Sequence, residues 1–105
     1  MSEEKSHEIS IIYDLINTIK EKKNADPESS YTAELFHMGN EKIANKVGEE
    51  AIETISAYLL EKPDRTKEEA ADLMYHLLVL LEDSRTSFHE VLRVLEDRMI
   101  TGREK

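Results

Sequence analysis

The chain has 105 residues, a net charge of −9, and a composition 39% hydrophobic, 35% charged and 6% aromatic. That length fits one domain, residues 1–105, with a modest core that is often completed by a partner chain. The acidic balance excludes general nucleic-acid binding, which requires a basic stripe to displace counterions.

The absence of cysteine excludes disulfides, cysteine-based zinc sites and cysteine nucleophiles. Two prolines and three glycines are too few turn formers for a fold of many short strands. The N-terminus has no basic segment followed by an apolar run, and no apolar stretch approaches the ~18 residues of a membrane span. A cytoplasmic protein with no membrane association is expected.

In chain order, Ile9, Ile12, Tyr13, Ile16 and Ile19 recur at helical spacing and predict a first helix over 6–23, with Lys20, Lys22 and Lys23 complementing its C-terminus. Pro27 lies in a run of turn formers, after which Ser29 or Ser30 is placed to cap a short helix from Tyr31 to Met38. Gly39 should end that helix and Asn40 should cap the next, a long one from Glu41 to about Leu60. Gly48 lies inside it, where glycine costs roughly 1 kcal/mol relative to alanine, so a close approach of a backbone or ligand, or a bend, is expected there.

Pro63-Asp64 marks a turn, and Thr66-x-x-Glu69 reads as a capping box for a third long helix ending near Asp83. This helix is apolar almost all round, as expected of a central or subunit-interface helix, and Leu73, Leu77, Leu80 and Leu81 are expected to be buried within or between subunits. His76 reads as a hydrogen-bonded core histidine. Ser87-x-x-Glu90 is a second capping box, opening a last helix that runs to about Ile100. The pattern is all-α.

Glu50 and Glu53 are three apart, as are Glu69 and Asp72, and on a helix that spacing sets both members of a pair on one face. An isolated E-x-x-E is most often a solvated surface. Here Glu53 lies between Ile52 and Ile55, and Asp72 between Ala71 and Leu73, positions that tend to face other helices. Two such faces turned together form a four-carboxylate cage, which needs a cation because like charges at a few Å repel. All-oxygen ligation points to Mg2+, with Mn2+ as a substitute.

Lys46, one turn before Glu49 and Glu50, is placed to pair with them or reach a phosphate, and Lys42 lies a turn further back. The count does not close on its own. A second helix running to Leu60 and a third starting at Lys67 would leave the two pairs offset by roughly two turns in simple antiparallel packing. A di-iron bundle is the weaker metal reading: its Glu-x-x-His motifs would be Glu4/His7 and Glu34/His37, one near the N-terminus and the other in a short helix.

At these residues the sequence resembles a known family. K-I-A-N-K-V-G-E-E-A-I-E followed by E-E-A-A-D-L-M-Y-H-L-L-V-L-L resembles phosphoribosyl-ATP pyrophosphohydrolase, of the all-α superfamily that includes the MazG proteins, over a core of about 30–98. The resemblance implies a MazG-like helical bundle completed by homodimerisation. It implies hydrolysis of phosphoribosyl-ATP to phosphoribosyl-AMP and pyrophosphate in histidine biosynthesis. By the same resemblance Glu50, Glu53, Glu69 and Asp72 hold Mg2+, Glu49 is a further ligand or orients water, and Lys46 and Lys42 meet phosphate oxygens.

The catalytic set on this reading is Glu49, Glu50 and Glu53. The next pathway enzyme, a cyclohydrolase with cysteine metal ligands, is expected on another chain. A house-cleaning nucleoside triphosphate pyrophosphohydrolase and a non-catalytic helical oligomerisation module are the alternative functions.

Overall fold

The computed structural model describes residues 3–105; Met1 and Ser2 of the expected 1–105 domain lie outside the described residues. Five helices follow one another: α1 (Glu3–Lys22), α2 (Tyr31–Met38), α3 (Asn40–Leu59), α4 (Pro63–Asp83) and α5 (Phe88–Ile100). The expected all-α bundle is the fold observed among the described residues.

The antiparallel pair α3 and α4 makes the most extensive contact, with α1 and α2 laid against it. Ile19 of α1, Leu35 of α2, Ile43 of α3 and Leu78 and Val79 of α4 form the buried core where these four helices meet. Each such side chain, removed from water, stabilises the fold by about 1.5–3 kcal/mol. α5 contributes no buried residue.

The helix ends follow identifiable local chemistry. Ser30 Oγ accepts from the Ala33 amide and starts α2, which Gly39 ends at φ +97° with its N–H donating to Leu35. Gly39 also stands at the cap position of α3, its carbonyl accepting from Ile43 at 3.2 Å, so Asn40 is the first helical residue and not the expected cap. Gly48 has open space where a Cβ would project, so among the described residues none makes the close approach expected there.

α4 begins a turn earlier than its apparent capping box. Pro63 occupies the first turn, where its missing N–H is no loss. Thr66 therefore lies inside the helix and donates its hydroxyl back to the Lys62 carbonyl at 2.9 Å, while Glu69 pairs with Arg65. The capping box expected there does not form, and Glu69 has no capping role. The box at Ser87 and Glu90 does form.

This earlier start closes the helical count. With α3 ending at Leu59 and α4 starting at Pro63, Glu50 stands level with Asp72, and Glu53 with Glu69.

The buried positions of α4 are Glu69, His76, Leu78 and Val79. Leu73, Leu80 and Leu81 are half-buried, and Leu77 is 43% exposed on the helix's outer side, so within the chain the deepest residues are neighbours of the four leucines expected. Ile52, Ile55, Tyr58 and Leu59 of α3, with Met74 and Leu77 of α4, leave a large apolar area uncovered.

Candidate active site

Among the described residues, the group of potential ligands close enough to share a metal ion is Glu50, Glu69 and Asp72, whose ligand atoms all lie within 4.8 Å of one another. Glu50 is 7% exposed and Glu69 is 4% exposed, whereas Asp72 and Glu53 are exposed. Three residues advance a helix by about 60° short of a full turn, so each pair has one member in the α3–α4 seam and one flanking it. Glu53 flanks the seam on α3 and stands outside the three-carboxylate group.

Each buried glutamate has one oxygen held by a cation a turn earlier. Lys46 Nζ lies 3.4 Å from Glu50 Oε1 and 3.3 Å from Glu49 Oε2. Arg65 Nη2 lies 2.5 Å from Glu69 Oε1. The other oxygens, Glu50 Oε2 and Glu69 Oε2, are buried with no hydrogen-bond partner among the described residues. A buried acceptor left this way costs on the order of 1–3 kcal/mol, more when charged, unless something binds it. Two orphaned carboxylate oxygens beside a third carboxylate are the donor set of a hard divalent cation, so the residues present fit Mg2+ or Mn2+.

Burial works against the Lys46 ammonium, yet its hydrogen bonds to Glu49 and Glu50 and the nearby Tyr31 outweigh that penalty and raise its pKa above 10.5. Lys46 is thus firmly charged at the edge of the site. Lys42 is half-buried one turn further along α3.

The expected core histidine is present. His76, 5% exposed, donates from Nδ1 to the Asp72 carbonyl at 2.7 Å, since a carbonyl can only accept. In the neutral ring Nε2 then accepts from the Tyr31 hydroxyl at 2.9 Å. Thr32 and Tyr75 make a second hydroxyl link alongside it, so the first turn of α2 is tied to the turn of α4 that follows Asp72. Tyr31 lies within electrostatic range of Lys46 and Glu50, and burial raises its pKa.

Two groups near the cluster, Arg65 and Tyr31, have no site role in the sequence reading. Arg65 was legible as an R-x-x-x-E spacing on one face of α4, the same signal that singled out Lys46 and Glu50. Nothing in the sequence pairs Tyr31 with His76, because that bond joins separate helices. The Glu4/His7 and Glu34/His37 pairs of the di-iron reading are exposed and are not part of the carboxylate group. A separate cavity of about 210 Å³ between α1, α4 and the start of α5 contains none of the cluster carboxylates.

Residues 12–99 match the family model described as phosphoribosyl-ATP pyrophosphohydrolase. Among curated proteins, the chain is 46% identical over 89 residues to the histidine biosynthesis bifunctional protein HisIE of Yersinia pestis, covering 85% of this chain and 44% of that protein. It is 50% identical over 80 residues to the protein of the same name from Pasteurella multocida, covering 76% of this chain and 40% of that one. For the Escherichia coli protein of that name the identity is 44% over 93 residues, with 89% and 46% covered. The chain spans less than half the length of these relatives, and the matched segment holds Glu50, Glu69 and Asp72. By sequence, the chain belongs to the phosphoribosyl-ATP pyrophosphohydrolase family.

Proposed function

We propose that this chain hydrolyses the α,β-phosphoanhydride of phosphoribosyl-ATP, releasing phosphoribosyl-AMP and pyrophosphate, with Mg2+ held by Glu50, Glu69 and Asp72 and joined by Glu53. The observation that carries the reading is the pair of buried, partnerless carboxylate oxygens on α3 and α4 in a chain of this family. Bound Mg2+ supplies charge neutralisation at the bridging and leaving oxygens and lowers the pKa of a water.

The chain's own residues do the rest. Lys46 offers a permanent positive charge at the edge of the cluster and engages a phosphate oxygen, with Lys42 a turn further along the same helix. Glu49, exposed and held by Lys46, orients the attacking water. His76 fixes the turn carrying Asp72 from below, through its hydrogen bond to the Asp72 carbonyl. The apolar area on α3 and α4 supports a homodimer, and the protein acts in the cytoplasm.

Pyrophosphate release from phosphoribosyl-ATP, with dCTP, dUTP and ATP as comparison substrates, tests this with and without Mg2+, for wild type and for Glu50→Gln. Mg2+-dependent turnover of phosphoribosyl-ATP alone, lost in the variant, is the expected result. Turnover of ordinary nucleotides instead would move the chain to a house-cleaning role. No turnover of any of them, with the variant as well folded as wild type, would leave a non-catalytic oligomerisation module.

A further inference from the structure

The two helices of the seam carry the same device in opposite directions. On α3, Lys46 reaches Glu50 four residues on; on α4, Arg65 reaches Glu69 four residues on. Because the helices are antiparallel, the two cations stand at opposite ends of the carboxylate cluster. Lys46 is level with His76 and Arg65 with Ala57, a separation of roughly 16 Å along the seam at 1.5 Å per residue. The carboxylates lie between them.

We propose that Arg65 is a latch on the cluster: its guanidinium competes with the entering cation for Glu69 and, once displaced, engages the phosphate chain of the substrate at the end remote from Lys46. The substrate arm of this proposal rests on the function given above; the cation arm does not.

The two partners of the pair differ in setting. The Glu69 side chain is almost wholly buried and fixed in the seam, whereas Arg65 is 59% exposed, with a second, longer contact to Glu68 at 3.8 Å. A pair with so exposed a cation is readily exchanged, because water and other anions compensate the guanidinium when it leaves. The carboxylate it leaves has no such option. Its Oε2 already lacks a partner, so a second bare oxygen would be intolerable in the seam unless a cation took the place of the arginine. Exchange of Arg65 for a divalent ion therefore satisfies Glu69 and frees a planar, five-donor group beside the site, suited to two oxygens of one phosphate.

The test is a pair of measurements with opposite expected signs. Mn2+ is titrated into the whole chain and followed by electron paramagnetic resonance, for wild type, Arg65→Gln and Lys67→Gln. Lys67 is the control: it is paired with Asp64 at 3.4 Å, changes the net charge equally and touches no carboxylate of the cluster. Removing the competitor should tighten Mn2+ binding about twofold to fivefold in Arg65→Gln. The KM for phosphoribosyl-ATP should rise roughly tenfold in the same variant with kcat little changed, and Arg65→Lys should recover part of that loss.

Lys67→Gln should change neither quantity, and with saturating Mn2+ in place of the arginine the melting temperatures of the three chains should stay together. Weaker or unchanged Mn2+ binding in Arg65→Gln, or an equal effect in Lys67→Gln, would reduce Arg65 to a surface charge and overturn the latch. A wild-type chain that releases no pyrophosphate from phosphoribosyl-ATP would overturn the substrate reading, and the Mn2+ titration would still decide whether the latch exists.

Discussion

Glu50 and Asp72 are equidistant in sequence from Glu61, and so are Glu53 and Glu69. The α3–α4 hairpin folds about that residue, which brings two carboxylate pairs to matching levels of one seam. Two buried oxygens there lack partners, so the fold carries an unfavourable term that a cation removes.

This gives a prediction in which metal reverses a stability order. With a chelator present, Glu50→Gln and Glu69→Gln should melt at or above the wild-type temperature, since an amide is less costly to bury than a carboxylate. At roughly a hundredfold excess of Mg2+ over its dissociation constant, wild type gains about 2.7 kcal/mol and the variants gain little. Calorimetry in the two buffers should show the crossing, and parallel behaviour of all three chains would remove the metal from the cluster.

Glu61 and Arg85 both adopt positive φ, 56° and 61°, at the ends of α3 and α4. Each lies in the same C-terminal motif: the Lys62 amide donates to Ala57 and the Thr86 amide to Leu81, while Glu61 and Arg85 donate to Tyr58 and Glu82. Gly102, at φ 76°, occupies the equivalent position after α5. A side chain costs about 1 kcal/mol in this conformation where glycine does not, so Glu61→Gly and Arg85→Gly should each raise stability by roughly 0.5–1 kcal/mol in urea melts. A loss of stability in both would contradict the backbone geometry.

Alkaline pH should destabilise the fold through Tyr75 and Tyr31. Burial raises the Tyr75 pKa above 10.0, partly opposed by its hydrogen bond to Thr32, and burial likewise raises Tyr31. The folded state therefore holds these protons more tightly than the unfolded chain. The resulting stability is complete below 10.0 and declines as pH rises through the higher folded-state values. Urea melts between about pH 9 and about pH 11 should lose less stability in Tyr75→Phe than in wild type. An identical slope in the two chains would mean that Tyr75 titrates alike folded and unfolded.

The exposed apolar residues of α3 and α4 give the remaining prediction. Leu77→Glu places a charge on the uncovered side of α4 without touching the core cluster. Sedimentation velocity should show wild type as a dimer and Leu77→Glu as a folded monomer. A wild-type monomer at about 100 μM would leave that surface without a self-partner, since a dimer of this size class binds well below that concentration.

The carboxylate pairs were legible because helical spacing alone sets them on faces, and the family resemblance is carried by the same residues. The rotational detail was not. Nothing in E-x-x-E says which member enters the seam, and the buried members proved to be Glu50 and Glu69. The start of α4 was misread because Thr66-x-x-Glu69 has the composition of a capping box, while Pro63, which actually opens the helix, also suits a turn. The sharp ends at Glu61 and Arg85 were invisible because glycine, the usual marker, is absent from both. Leu77 faces outward because a near-continuous apolar run hides the period that would reveal its inner side.

The connection Leu60–Lys62 holds none of the candidate chemistry, yet it determines whether that chemistry is assembled. It closes through the Lys62 amide, which donates to the Ala57 carbonyl at 3.1 Å, so the two helices leave the turn at a fixed level and Glu50 meets Glu69 and Asp72 across the seam. Surface connections ordinarily absorb insertions without consequence. In this hairpin a longer connection would loosen that level, whereas the segment 24–29, which joins α1 to α2, has no part in setting the carboxylates against one another.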